Sequence, residues 1–278
     1  MVTRLLLRRS VPPAPECRWD TPRPLQVDVD IAFVVDGSRG AGANLYRSAL
    51  TLVDVVLEEL EVARQPSMSP RGARVALVTH MTPGFWPGGG RSPVLEGFHL
   101  TAYGHQSQMQ RSVREAVGHP LRGAPALGCA LEWTLEKVLL ASPLLWRAQV
   151  LFAIVASETS NWDREKLRTL SPEANCKGIT LFVLALGPGV GTHELAELVH
   201  VASSPWEQHL LRLEGVSEVE VTYALGFMRA FLNPLKSEQM GMPGRVGRGK
   251  HRAWHMGGWV PMAPSPSLSC RLPCGLHL

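Results

Sequence analysis

No apolar stretch in this sequence approaches the roughly 18 to 20 residues of a membrane-spanning helix, so no span is expected. Cysteine is sparse: five residues, an odd number, scattered along the chain. They do not define a disulfide framework. Clustered basic charge is missing too. The formal net charge of +4 is small and diffuse, and the core offers no basic face to nucleic acid. The stretch from Met1 to Cys17 holds one short apolar patch, Leu5 to Leu7, and no long secretory core. It reads as an unstructured lead-in, or as a chain begun inside a longer gene product. Acids stop after Glu238, beyond which Gly and Pro are frequent and periodicity fades.

What remains is a body rich in apolar residues. Hydrophobic residues make up 45% and charged ones 19% of 278 positions, enough for one core of about 200 residues. Residues 1–25 are expected to be a disordered lead-in, 26–235 the folded domain, and 236–278 a disordered basic Gly/Pro-rich tail. The body centres on Val27 to Gly40, VDVDIAFVVDGSRG. Its run Ile31 to Val35 is apolar at successive positions, as in a strand covered on both faces. It ends in Asp36, Gly37 and Ser38. Open α/β sheets keep their sites at that carboxyl edge.

Further strands are expected at Ala73 to Thr79, Val150 to Ala156, Ile179 to Leu186 and Leu210 to Leu213, with an edge strand at Val94 to Leu100. Helical spacing runs from Asn44 to Leu60, Gln106 to Val117, Cys129 to Leu140, Asp163 to Leu170, His193 to Ala202 and within Val216 to Leu232. The alternation predicts a three-layer, doubly wound α/β fold. Its sheet is mostly parallel, with helices on both faces and one antiparallel edge strand.

Several constellations have bland readings. Gly187-Pro188-Gly189-Val190-Gly191 lacks the spacing of a dinucleotide loop and the lysine of a P-loop, so it reads as a tight turn. His80, His99, His105 and His119 match no zinc spacing and read as solvent-facing or locally bonded. No Gly-x-Ser-x-Gly elbow occurs. Cys129 and Cys176 could pair in an extracellular domain. Trp86 and Trp162 sit on loops at the Asp36 edge, either as interface anchors or folded against the domain's own surface.

The sequence VDIAFVVDGSRG, then ARVALVTH, then ITLFVLALGPG with HELAELVHVASSP, resembles a von Willebrand factor type A domain. It is most similar to the C-terminal A domains of collagen VI chains of the alpha-4, -5 or -6 type. That resemblance implies a non-catalytic extracellular-matrix interaction domain, whose partners are matrix proteins or other collagen-like chains. It also implies a divalent cation at the carboxyl edge, held by an Asp-x-Ser-x-Ser loop, a Thr and an Asp. Here Asp36 and Ser38 match the first two positions. The third falls on Gly40, the Thr position on Pro125, and the final Asp on Ser157, with Glu158 one place along. No cofactor is therefore expected, although Glu158 could swing in to support a weak divalent cation. The alternative for Asp36 and Ser38 is to cap the loop and the next helix, with Ser157 a polar contact for a partner. Two other functions stay open: a small nucleotide-binding or hydrolytic enzyme using the same edge, and a truncated product with little independent function.

Overall fold

The computed structural model describes residues 24–80, 82–119, 123–144 and 147–213. The lead-in, the helix expected within Val216 to Leu232 and the tail lie outside these. Among the described residues six strands form one sheet: β1 (Val29–Asp36), β2 (Arg74–His80), β3 (Leu95–Phe98), β4 (Ala148–Val155), β5 (Ile179–Leu186) and β6 (Leu210–Leu213). Their spatial order is β3-β2-β1-β4-β5-β6. All pairs are parallel except β2 with β3. The expected doubly wound sheet with an antiparallel edge is therefore present.

The alternation within β1 explains its uninterrupted hydrophobicity. Ile31, Phe33 and Val35 point into one core, with α1 (Gly42–Glu59) and α2 (Gln106–Ala116). Ala32 and Val34 point into the other, with α3 (Leu127–Thr134), α4 (Arg164–Cys176) and α5 (Thr192–Val201). A strand buried on both faces has no polar side to show. Phe33, Phe152 and Phe182 line up across β1, β4 and β5, with ring centroids 5.4 and 6.2 Å apart. Each contributes about 1.5–3 kcal/mol by burial.

The helix starting near Asp163 differs from the sequence reading. A 3-10 turn at Asn161–Asp163 leads into α4, which continues to Cys176 and carries Pro172 inside it. Leu167, Leu170 and Ala174 bury one face of α4, and this packing outweighs the proline's missing donor. After α3 the chain winds through a π-helical turn, Leu135–Leu139. A four-residue helix, α6 (Trp206–His209), precedes β6.

The Cys129–Cys176 pair does not form. Cys129 is a free, buried thiol, whereas Cys176 is disulfide-bonded elsewhere. Cys129 opens α3, where its side chain packs against Asp163. Burial pushes its thiol up to about 12, and the neighbouring Asp163 adds to the shift. The thiolate is the reactive species. Iodoacetamide at mildly alkaline pH should thus leave Cys129 intact in the folded chain and label it only after urea unfolding. Peptide mass mapping checks this, and rapid labelling of the folded protein would contradict it.

Candidate functional site

The strand order reverses between β1 and β4, so the loops after these two strands diverge and leave a crevice at their carboxyl ends. Asp36 ends β1 and is buried, at 1% exposure. Its Oδ1 accepts the Ser38 N–H at 3.0 Å, closing a local Asx turn. Its Oδ2 accepts the Ala156 N–H at 3.2 Å and the Ser157 hydroxyl at 2.6 Å. The Ser38 and Ser157 hydroxyls lie 3.1 Å apart. Because the Ser157 proton is committed to Asp36, Ser38 donates that last bond. One carboxylate and two hydroxyls thus form a closed knot joining β1 to β4.

The sequence brings together positions that looked like unrelated losses. A Cβ built on Gly40 would lie 2.7 Å from the Ser157 Cβ and 3.6 Å from the Pro125 Cγ. Gly40, Pro125 and Ser157 therefore meet at one point. The space a side chain at 40 would need is taken by Ser157, with Pro125 in ordinary contact beside it. The Arg39 N–H donates to the Gly123 carbonyl at 3.3 Å and clamps the loops at this point.

This donor set does not fit a hard divalent cation. Such an ion takes about six oxygens in near-octahedral array. Here Gly40 and Pro125 bring no side-chain oxygen, which leaves one carboxylate and two hydroxyls as the only side-chain oxygens of the knot. Among the described residues no group of three His, Cys, Asp or Glu side chains converges to hold a metal ion. Glu158 does not turn inward: it is exposed, and its Oε1 lies 2.8 Å from where a Cβ on Gly191 would be, at the start of α5.

Ser157, expected as a partner contact, is instead buried, with its hydroxyl turned into the domain. The capping role of Asp36 and Ser38 extends only to their own loop. The residue before α1 is Ala41, and no side-chain hydrogen bond caps that helix.

Two residues stand at the site that the sequence did not place there. His80 ends β2 directly opposite Asp36 in register. It was expected to be solvent-facing or locally bonded, yet it is buried, with Nε2 3.5 Å from Asp36 Oδ1. The signal was its place at the end of the strand next to β1. Asp163 is also buried and accepts the N–H groups of Gly128 at 2.5 Å and Cys129 at 2.9 Å. It supplies the N-terminal cap of α3 from another element. Burial raises its carboxyl above the ordinary value, against those bonds and the nearby His80.

The aromatic residues do lie at the surface. Trp86 is 65% exposed and Trp162 is 46% exposed. Phe85 and Trp162 bring their rings to 6.2 Å, tying the loop after β2 to the one after β4. The glycine-rich turn after β5 is close-packed, as a tight turn should be. A Cβ at Gly187 would strike Leu45 at 2.7 Å, and one at Gly189 the Ala156 carbonyl oxygen at 2.4 Å.

A doubly wound sheet with its candidate site at the β1–β4 switch defines the class. The family model of the von Willebrand factor type A domain matches residues 30–224, and the chain belongs to that family. It is 64% identical over 225 residues to the collagen alpha-4(VI) chain of Mus musculus, covering 81% of this chain and 10% of that one. It is 37% identical over 224 residues to the collagen alpha-6(VI) chain of Homo sapiens, covering 81% and 10%. Matrilin-1 of Mus musculus is 28% identical over 203 residues, covering 73% of this chain and 36% of that one. The chain spans about a tenth of the length of the collagen relatives it matches.

Two solved structures share the fold. One is proximal thread matrix protein 1 from the mussel byssus with a zinc-occupied MIDAS motif, with TM-score 0.56, 16% identity, and 74% of this chain and 48% of that one covered. The other is manganese-loaded Plasmodium vivax TRAP protein, with TM-score 0.52, 14% identity, and 75% and 76% covered. At such identities the likeness is one of fold alone.

Proposed function

We propose that the chain is a non-catalytic interaction domain of the extracellular matrix. It docks other matrix proteins or collagen-like chains through the loops at the carboxyl edge of the sheet, without a resident cation. The observation that carries this reading is the exposure of Trp86 and Trp162 on the loops after β2 and β4, at an edge where Gly40 and Pro125 bring no side-chain oxygen. Large aromatics in loops anchor protein interfaces, while a hydrogen-bonded knot holds the loops after β1 and β4. The collagen VI and matrilin relatives support a matrix setting. The close packing of the Gly187 turn gives no support to a phosphate cradle, and hence to a nucleotide-binding alternative.

The test is surface plasmon resonance of the full chain over immobilised collagen VI and matrilin-1, in excess EDTA and again in Mg²⁺ or Mn²⁺. Equal binding in both is expected, together with loss of binding in Trp86→Ala and Trp162→Ala. Binding that appears only with the metal would overturn the cation-free reading. Binding that ignores both tryptophans would move the interface away from this edge.

A further inference from the structure

The Asp-x-Ser-x-x loop carries a residue that the knot does not use. Arg39 stands between Ser38 and Gly40, and it is exposed. Among the described residues its guanidinium has no hydrogen-bond or ion-pair partner. It lines an open groove with Pro83, Gly84, Gly123 and Ala124, at the same end of the sheet as the knot. Arg91 borders the groove: its Nη1 donates to the Pro83 carbonyl at 3.0 Å and lies 3.3 Å from where a Cβ on Gly84 would be. The acid of this edge, Glu158, lies toward Gly191 instead. Phe85 and Trp86 follow Gly84 directly and Trp86 is exposed, so an aromatic side chain at the surface lies within two residues of the groove lining.

We propose that this groove binds an acidic side chain of a protein partner, with the Arg39 guanidinium as the receptor of its carboxylate. The inference rests on the reading of the edge as a docking surface and deepens it by assigning partner chemistry. Positive charge at this edge comes from a side chain rather than a metal. A guanidinium offers paired N–H donors in the plane of a carboxylate, so recognition is bidentate and directional. An exposed arginine without an internal partner has no ion pair to break when the carboxylate arrives. Aromatic contact at Trp86 then shields the pair from water, as rim contacts do around strong interface residues. The occupant is an acidic residue flanked by an apolar or aromatic one.

The test is selection of a displayed random dodecapeptide library on the full chain in EDTA. Affinities of the enriched peptides are then measured by fluorescence polarisation. Enrichment of Asp or Glu beside an apolar or aromatic residue is expected. Arg39→Gln should weaken a selected peptide by about tenfold or more, with an unchanged thermal midpoint because the side chain has no partner to lose. Arg39→Glu should regain binding when the peptide's acid is changed to lysine. If selected peptides depend on Trp86 and Trp162 but carry no acid and ignore Arg39→Gln, the carboxylate inference fails and the docking edge stands. If they ignore Arg39 and both tryptophans, both readings fail.

Discussion

Replacing Asp30 by alanine should cost about 3–5 kcal/mol of folding free energy, because it removes the carboxylate that two buried guanidinium groups share. Asp30 and Arg74 are fully buried, and Arg147 is nearly so. Asp30 Oδ1 accepts from Arg74 Nε at 2.6 Å and from Arg147 Nε at 3.0 Å, and Arg74 Nη2 also reaches Oδ2. Arg147 further donates to the carbonyls of Pro70 at 2.7 Å and Val29 at 3.3 Å, and to that of Gly72. Burial pulls the Arg147 guanidinium below its ordinary value, and Asp30 pushes back. One carboxylate therefore bridges two arginines, and their further bonds to carbonyls fix the segment before β2. Urea unfolding measures the effect as a lower midpoint at unchanged slope. A loss below about 1 kcal/mol, the scale of an exposed ion pair, would show that the cluster is not a structural staple.

Ser157→Asp restores the acid that the family carries at this position, and it should destabilise the domain by about 3 kcal/mol at neutral pH. The substitution removes the hydroxyl that donates to Asp36 at 2.6 Å. It places a second carboxylate beside a buried first one, in space already tight against Gly40. A divalent cation is the natural counter-charge for such a pair. Mn²⁺ should thus raise the thermal midpoint of the variant and leave that of the natural chain unchanged. A midpoint of the natural chain that climbs with Mn²⁺ would mean that the knot opens to metal.

The strands were legible because burial writes itself into composition. Ile179 to Leu186 and Leu210 to Leu213 coincide with the observed β5 and β6. The departures at Gly40, Pro125 and Ser157 were legible singly. That they touch was not, since contact across some 120 residues leaves no local pattern. The charged cluster left a trace: Asp30 and Arg74 stand at the starts of strands whose middles are apolar, and a buried charge requires a partner. Which partner it finds depends on the parallel register of Asp30 with Arg74. Cys129 illustrates the opposite limit. Its position at a helix start reads alike for a bonded and a free thiol, and only the three-dimensional separation decides.

The parallel pairing of β1 with β4 has a consequence for the chain as it is made. Asp36 is bonded to Ala156 and Ser157, which follow it by 120 and 121 positions. Parallel neighbours this distant cannot pair until the intervening chain exists. The β1 strand therefore leaves the ribosome long before the residues that complete its outer end. Ser38 and Phe85 are synthesised early, yet their contacts Ser157 and Trp162 arrive only after β4. A nascent chain consequently closes this edge of the sheet only once most of the domain has been made.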